Sequence, residues 1–370
     1  MGVSSAYVSS LLTKLPSTGN LPSSARLLPQ FATTSSCRGY ESNIVSRPTW
    51  SRPQGYNWKE DPSWHTPLTG DAKSEAIDTL ATFVRRAAKL LVISGAGCST
   101  ASGIPDYRGP QGSYKTGHRP IQHDEFRRLE SARRRYWARS FVAWQRFGDL
   151  APNRAHLVLA ALERTGKVSH VVTQNVDGLH QAAGSKLVTD LHGRIDQVKC
   201  LGCGELTRRL DLQARLETVN AIWLSEFLTG SGGDLDKVHQ ATPDGDADLA
   251  PHTDYESFTI PACESCHGVL KPDVVFFGDS VPKETVEAVF TSVESADAIL
   301  VVGSSLEVFS AYRFVNHATV KLQPPKPVAV LNLGRTRAER NGLPLVKIDL
   351  PCGEALWEVA AALNIVVRDS

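Results

Sequence analysis

Short apolar segments that alternate with helical patterns are the feature that most limits the folds open to this chain. The apolar runs that predict buried strands are KLLVIS, VSHVVTQN (168–175), AILVVGSS (298–305) and PVAVLNLG (327–334), with PLVKIDL as an edge strand. Helical spacing of apolar residues predicts helices at 74–89, 154–165, 283–296 and 309–322. This alternation predicts an α/β fold with a doubly wound, Rossmann-like parallel sheet.

Polar and small residues directly follow four of these strands. In an open parallel sheet the ligand lies at the carboxyl ends of the strands. The candidate ligand-binding residues are therefore Gly95-Ala96-Gly97, Gln174-Asn175, Gly303-Ser304-Ser305 and Asn332.

The turn after the first strand matches only part of a dinucleotide-binding motif. Gly95 and Gly97 match the first two glycines, but Thr100 stands where the third is expected, and no acid ends the second strand. A tight structural turn explains these two glycines almost as well. The turn alone is therefore weak evidence for a dinucleotide.

The continuation of this turn is more specific. Pro105 ends any helix that begins here, because it lacks an N–H and restricts Ile104 before it. Asp106 and Arg108 then fall on a loop near the turn. A carboxylate there could hold a carboxamide, and a guanidinium could hold a phosphate or a ribose.

Two further segments carry candidate catalytic groups. TQNVDGLH (173–180) places Asn175 and Asp177 after the second strand, where they line a ligand crevice, cap a helix, or do both. His192 lies between the sheet and the first cysteine pair, and an imidazole suits a general base near neutral pH. A structural histidine is the alternative.

The segment 268–282 could pair with a peptide backbone by strand addition, or be a plain buried strand.

Two Cys-x-x-Cys pairs interrupt the α/β alternation. Cys200, Cys203, Cys263 and Cys266 have the spacing of a closed four-thiolate zinc site, which is structural rather than catalytic. A redox dithiol or unrelated thiols are the alternatives. The acidic, Gly/Pro-rich stretch 230–254 between the pairs is predicted to be an exposed loop.

Charge and composition set the cellular context. The formal net charge is +1, which gives no whole-chain field for nucleic acid, and no apolar run approaches the roughly 20 residues needed to span a bilayer. We therefore expect no nucleic-acid or membrane partner. Residues 1–40 contain no Asp or Glu, are rich in Ser, and carry Lys14, Arg26 and Arg38. This composition is typical of an organelle transit peptide, and a disordered tail with no targeting function is the alternative.

Taken together, these motifs resemble the sirtuins, which are NAD-dependent protein deacylases. The matching segments, in family order, are GAGCSTASGIPDYR, TQNVDGLH, LHG, the two cysteine pairs, LKPDVVFFGD, VVGSSLEV and LNLG. They cover about residues 70–365. HRPIQHDEF, RRRYWARSFVAW, VVGSSLEVFSAYRF and PCGEALWEV are most similar to the mitochondrial sirtuin-4 type of class II.

The resemblance implies a division of the chain. Residues 1–60 would be a transit peptide and disordered lead-in. Residues 70–195 and 270–368 would form the Rossmann-like NAD-binding domain, and residues 196–269 a zinc-binding small domain with helices from about 115–150. The protein would be a monomer in the mitochondrial matrix, and its acyl-lysine protein substrates would be mitochondrial metabolic enzymes.

The resemblance also implies roles for individual residues. His192 would be the general base, and Asn175 and Asp177 would act with it at the nicotinamide. The residues assigned to NAD binding are Gly95, Ala96, Gly97, Ser99, Thr100, Ile104, Asp106, Tyr107, Arg108, Tyr114, Gln174, Asn175, Asp177, Gly303, Ser304, Ser305, Asn332, Leu333, Gly334 and Cys352. NAD would be consumed, and one structural Zn²⁺ would be bound.

The implied chemistry is lysine deacylation of the lipoamidase or deacetylase type, with mono-ADP-ribosyl transfer as a related activity. Tyr136-x-x-Arg139 resembles a pair that reads acidic acyl groups in related sirtuins, and a solvated helix face is its alternative. Two other classes are a non-catalytic NAD-sensing scaffold and an NAD oxidoreductase with structural zinc. The missing third glycine and the closed metal site disfavour the oxidoreductase.

Overall fold

The computed structural model describes residues 67–368, except residues 116, 231–241, 248 and 251. The predicted transit peptide and lead-in, 1–60, lie outside the described residues. In the described part, the strands are β1 (Leu90–Ser94), β2 (Val168–Thr173), β3 (Val188–Asp190), β4 (Gly193–Cys200), β5 (Leu206–Arg208), β6 (Leu270–Val274), β7 (Ala298–Val302), β8 (Val328–Leu331) and β9 (Val346–Ile348).

The main sheet is parallel throughout, as predicted. Its strand order is β3-β2-β1-β7-β8-β9, and each neighbouring pair is parallel. The chain therefore winds outward in one direction from β1 and in the other from β7, which makes the β1–β7 junction the topological switch point. The predicted edge strand is β9. The opposite edge strand, β3, was not predicted.

The helices are α1 (Gly70–Arg86), α2 (His123–Arg128), α3 (Glu130–Gly148), α4 (Arg154–Arg164), α5 (Leu179–Ala182), α6 (Arg209–Val219), α7 (Ala221–Gly230), α8 (Lys283–Ser295), α9 (Phe309–Asn316), α10 (Arg337–Arg340) and α11 (Cys352–Ala362). The first predicted helix begins and ends earlier than expected. The predicted helix 309–322 ends as a π turn, His317–Lys321, after α9.

Alternate residues of β1 face two separate hydrophobic cores. Leu90 and Val92 belong to the core that α1, α4 and α11 cover, whereas Leu91 and Ile93 belong to the core that α8 and α9 cover. A strand buried on both faces needs an uninterrupted apolar sequence, which explains the run LLVI.

A second, antiparallel sheet of order β5-β4-β6 carries the cysteine pairs. Its core takes large aromatic side chains from α3, including Trp137 and Phe141, beside Val198 of β4 and Leu270 of β6. Among the described residues, no helix combines the length and apolar character required to cross a membrane.

The prediction of an exposed loop at 230–254 is wrong for residues 242–247. Thr242, Asp246 and Ala247 are buried. Burial of this polar segment is tolerated because its side chains are paired: the Arg139 guanidinium lies 3.3 Å from Asp246 Oδ2, and Thr242 also binds Asp246.

Candidate active site at the switch point of the sheet

A crevice of about 430 Å³ opens at the carboxyl ends of β1 and β7, where the switch point predicts a ligand. It brings together the turn after β1, the segment after β2, His192, and the residues after β7 and β8. All the predicted NAD-binding and catalytic residues line it except Thr100, Tyr114, Gly334 and Cys352.

Those four residues lie outside the lining. Thr100 is exposed, and its hydroxyl donates to the Gly97 carbonyl at 3.1 Å. The Tyr114 ring lies 5.4 Å from that of Tyr107, with the Arg108 guanidinium 5.2 Å above it. The Gly334 carbonyl accepts a bond from Asn332 Nδ2 at 3.1 Å. The Cys352 thiol is buried against the Leu331 carbonyl at 3.7 Å. Direct contact of these four with NAD stays a prediction.

The glycines of the switch point let two loops pack on each other. A β-carbon on Gly303 would lie 2.2 Å from the Cys98 nitrogen, and one on Gly97 would lie 2.9 Å from the Gly303 carbonyl oxygen. The Gly97 N–H donates to that same oxygen at 2.9 Å. These glycines are therefore required by loop-to-loop packing as well as by any phosphate that approaches the turn.

The loop from Ile104 to Tyr114 is held by its own polar groups and by contacts with residues outside it. Asp106 Oδ1 accepts the Gly109 N–H at 2.7 Å, and burial raises the pKa of the Asp106 carboxyl. The Tyr107 hydroxyl donates to Asp244 Oδ1 at 2.5 Å. Asp244 lies in the buried segment 242–247, so that segment forms part of the crevice wall.

The amides and carboxylate after β2 form one network with Ser99. Asn175 Nδ2 donates to the Gly95 carbonyl at 3.2 Å and to Ser99 Oγ at 2.9 Å. Ser99 Oγ donates to Asp177 Oδ2 at 2.7 Å, and the other carboxylate oxygen accepts the Leu179 N–H at 2.9 Å. Asp177 lines the crevice, and its carboxylate also accepts a bond from the first residue of α5. The N-cap residue itself is Gly178, so the prediction that Asn175 or Asp177 occupies that position is wrong.

His192 is half-buried in the wall of the crevice with both ring nitrogens bonded. Nδ1 lies 2.8 Å from the Gln174 carbonyl oxygen, and Nε2 lies 2.8 Å from Ser310 Oγ. Because a carbonyl only accepts, Nδ1 carries the hydrogen and the neutral ring has its lone pair on Nε2. Burial lowers the pKa of His192, the Gln174 bond raises it, and the positive charge of Arg313 lowers it further. The site therefore favours a neutral imidazole, as a general base requires.

Sequence reasoning missed Ser310 and Arg313, which lie on α9 and line the crevice. The side chains of Phe276 and Phe277, also in the lining, were placed only in the segment predicted for strand addition. That segment begins as β6. Its continuation makes backbone contacts with two other segments: the Val275 N–H donates to the His192 carbonyl at 2.8 Å, and Phe277 bridges to Gln122.

Two histidines lie buried beneath the network of Ser99. Burial lowers the pKa of His156 to about 4 and that of His180 to about 3. His156 Nδ1 accepts the Asn153 N–H at 3.2 Å, so Nε2 holds the ring hydrogen and faces Ser99 Oγ at 3.4 Å and Cys98 Sγ at 3.9 Å. Because that nitrogen is protonated, the cluster of Cys98, His156 and His180 is poorly suited to a metal ion.

The four cysteines fit a zinc ion. Their sulfurs all lie within 4.8 Å of one another, with Cys200 and Cys266 at 3.4 Å and Cys203 and Cys263 at 3.8 Å. Tetrahedral bonds of 2.3 Å place sulfurs about 3.8 Å apart, much farther than a disulfide bond. Gly268 allows this approach, since a β-carbon there would lie 2.9 Å from Cys200 Sγ. All four ligands come from the protein, so a bound Zn²⁺ would be structural.

Tyr136 and Arg139 do not line the crevice. Tyr136 is buried, and its ring packs 5.3 Å from that of Phe276. The Arg139 guanidinium binds Asp246 at 3.3 Å and the Ala247 carbonyl at 2.7 Å. The alternative of a solvated helix face is wrong for both residues, and the arginine charge is already balanced by a carboxylate.

Comparison with known proteins agrees with this geometry. The family model described as "Sir2 family" matches residues 95–310. NAD-dependent protein deacetylase 2 of Bradyrhizobium diazoefficiens is 49% identical over 281 residues, 76% of this chain and 96% of that protein. NAD-dependent protein lipoamidase sirtuin-4, mitochondrial, of Bos taurus is 46% identical over 284 residues, 76% of this chain and 85% of that protein.

Solved structures show the same fold. A complex described as Sir2, p53 peptide and NAD⁺ superposes with a TM-score of 0.57 at 25% identity, covering 78% of this chain and 99% of that one. A Sir2 complex with a deacetylated p53 peptide and 3'-O-acetyl ADP ribose gives a TM-score of 0.59 at 26% identity, with the same coverage. The chain belongs to the Sir2 family, the sirtuins.

Proposed function

We propose that this protein is an NAD-dependent lysine deacylase that converts an acyl-lysine, NAD and water to free lysine, nicotinamide and O-acyl-ADP-ribose. The observation that carries the proposal is the neutral His192, with its proton-free Nε2, in the same crevice as Asn175 and Asp177. The missing third glycine after β1 and the closed four-thiolate site disfavour a hydride-transfer enzyme. The names of the deacetylase and lipoamidase relatives support the same chemistry.

The residues divide the reaction between them. Asn175 and Asp177 bind at the nicotinamide, and the acyl oxygen of the substrate attacks the ribose carbon as nicotinamide leaves. His192 Nε2 then takes a proton from a ribose hydroxyl, and the oxygen so freed attacks the imidate carbon. The carbon–nitrogen bond of this adduct then breaks, the lysine amine leaves with a proton, and one water adds to give O-acyl-ADP-ribose. The loop from Ile104 to Tyr114 covers the ribose and limits access of water until the ribose oxygen has attacked.

The structural zinc supports this site from a distance. When bound, the ion would cross-link Cys200 at the end of β4 to Cys266 just before β6. Those strands pair with each other, and β6 leads directly into Val275–Phe277, which lines the crevice. A substrate peptide that adds as a strand along this segment would therefore depend on the zinc module for its binding surface.

The acyl group that fits best is neutral. Arg139 is balanced by Asp246, and the nearby crevice wall carries the carboxylate of Asp244 beside Phe276 and Phe277. A second carboxylate on the acyl chain would meet like charge here and find no unbalanced guanidinium at the Tyr136–Arg139 pair. We therefore assign the enzyme to acetyl or lipoyl removal rather than to dicarboxylic acyl groups.

A panel of acyl-lysine peptides tests the proposal. The purified protein is incubated with NAD and acetyl-, lipoyl- or glutaryl-lysine peptides, and products are identified by mass spectrometry. We expect nicotinamide and O-acyl-ADP-ribose in equal amounts from a neutral acyl peptide. NADH absorbance would instead indicate an oxidoreductase, protein-bound ADP-ribose would indicate a transferase, and no turnover at all would favour the scaffold.

The proposed location is the mitochondrial matrix, where the protein acts as a monomer on acylated metabolic enzymes. The acid-free, Ser-rich composition of residues 1–40 supports this location, as does the name of the bovine relative. Import of radiolabelled protein into isolated mitochondria tests it. We expect protease-protected product that is lost when Lys14, Arg26 and Arg38 are all changed to Glu. Equal protection of both proteins would exclude the targeting role.

A further inference from the structure

His192 is anchored by groups that come from two different parts of the chain. The Gln174 carbonyl that binds Nδ1 follows β2, whereas the Ser310 hydroxyl that binds Nε2 lies in the first turn of α9. The bond to Gln174 fixes which nitrogen carries the hydrogen. The bond to Ser310 adds an anchor at the opposite nitrogen, so α9 sets the direction in which the Nε2 lone pair points.

We propose that Ser310 is a positioning residue for proton transfer by His192, which rests on the base role proposed above. In the resting site the Ser310 hydroxyl donates to the Nε2 lone pair. When the ribose hydroxyl gives up its proton, its O–H bond breaks, the Nε2 lone pair forms the new N–H bond, and the ribose oxygen keeps its electron pair for attack on the imidate. The Ser310 hydroxyl keeps its own hydrogen, rotates, and accepts the new Nε2–H.

The surroundings of His192 disfavour its protonated form, so an acceptor for the new Nε2–H stabilises that form. Burial and the charge of Arg313 both disfavour protonated His192. Arg313 is itself fixed to the same turn, because its Nε donates to the Ser310 carbonyl at 3.1 Å. A hydroxyl has one hydrogen and two lone pairs, so it serves the neutral ring as donor and the imidazolium as acceptor.

The two states of the ring do not benefit equally from Ser310. A hydrogen bond from a charged donor is roughly twice as strong as a neutral one. Loss of the hydroxyl therefore costs the imidazolium more than the neutral ring, which lowers the pKa of His192 and slows the proton transfer. Nicotinamide release precedes this step in the proposed reaction, so it does not need the hydroxyl.

The variants Ser310→Ala and Ser310→Thr test the proposal beside His192→Ala. Two rates are measured on an acetyl-lysine peptide: deacylation, and exchange of labelled nicotinamide into NAD. For Ser310→Ala we expect deacylation to fall about ten- to hundredfold with exchange unchanged, and the acid limb of the deacylation pH profile to move to lower pH. Ser310→Thr should recover most of the loss, and the exposed Ser295→Ala serves as the control.

Three outcomes would overturn the role of Ser310. The first is that Ser310→Ala and the unchanged protein have the same ratio of exchange to deacylation and the same acid limb of the pH profile. The second is faster deacylation, which would make the hydroxyl a mere competitor for Nε2. The third is an equal fall in both rates, which would indicate a structural defect. If His192→Ala retained deacylation, the base role itself would fail, which is a separate result.

Discussion

Gly303 lies so close to Cys98 that a β-carbon on the glycine would stand 2.2 Å from the Cys98 nitrogen. Gly303 follows β7 and Cys98 belongs to the turn after β1, so this contact joins the two central strands at the point where the crevice opens. The backbone of Gly303 also has a φ of +60°, which favours glycine for a second reason.

We predict that Gly303→Ala abolishes NAD binding and destabilises the fold. The clash moves the turn that carries Ala96 and Gly97, whereas a positive φ alone costs an alanine about 1–2 kcal/mol. Gly342→Ala is the matched control, because Gly342 has a φ of +68° and open space around it. Urea unfolding and calorimetric NAD titration measure both effects. Equal losses in the two variants would show that the close contact does not matter.

His192→Ala should remove almost all deacylation and leave the fold intact. Loss of a positioned general base costs about 10² to 10⁴ in rate. Nicotinamide exchange should persist, since it precedes the proton transfer. A variant that retains more than a tenth of the rate would refute the base assignment.

The pH profile of the unchanged enzyme tests the same residue. The base acts when neutral, and burial lowers the pKa of His192 below its usual value of 6.5. Deacylation should therefore be constant through neutral pH and fall only as the pH drops below 6.5 through the lowered pKa. An acid limb centred above pH 7 would show that another group controls the rate.

Removal of the metal should weaken peptide binding at the crevice, although none of the cysteines is a predicted NAD-binding residue. We expect one zinc per chain by elemental analysis, and far less in Cys266→Ser, since three thiolates bind it more weakly. The variant should melt at a lower temperature and bind peptide poorly, because the pairing of β4 with β6 leads into Val275–Phe277. Cys37→Ser is the control. If the variant lost zinc but kept full peptide affinity, the zinc site would have no role in peptide binding.

Periodicity in the sequence was sufficient to predict the central strands and most flanking helices. Both faces of β1 are buried, so its apolar run has no other explanation. β3 was missed because it has three residues, Val188–Asp190, at the edge of the sheet, with only one apolar side chain among them. Short edge strands give no periodic signal of their own.

The missed parts of the site are contacts between distant segments. Ser310 is 118 residues from His192 and sits in FSAYRF, where a serine carries no motif. The segment 242–247 has the composition of a surface loop, and only pairing with Arg139, His118 and Tyr107 makes its burial possible. Sequence motifs identified residues that would touch NAD, but not those that orient them.

Acyl preference should respond to the charge of Asp246. In Asp246→Asn the shape of the side chain is kept and Arg139 loses its balancing carboxylate, so glutaryl-lysine turnover should rise at least tenfold relative to acetyl-lysine turnover, about 1.4 kcal/mol. Arg139→Met, made in the same background, should cancel the gain. If the ratio of the two activities does not change in Asp246→Asn, the Tyr136–Arg139 pair has no part in acyl recognition.

Stability should fall in acid because of a buried histidine below the crevice. Burial lowers the pKa of His156 from 6.5 to about 4, so the unfolded chain binds a proton in this range and the native chain does not. The contribution is complete above pH 6.5 and is lost as the pH falls toward 4, by about 3 kcal/mol. Urea unfolding at pH 7, 5.5 and 4.5 measures it. His156→Gln should reduce this slope without abolishing it, because burial also lowers the pKa of His180, to about 3, and adds a dependence of the same sign. His252→Gln, at an exposed position, should leave the slope unchanged, and equal slopes in all three proteins would assign the acid sensitivity to other groups.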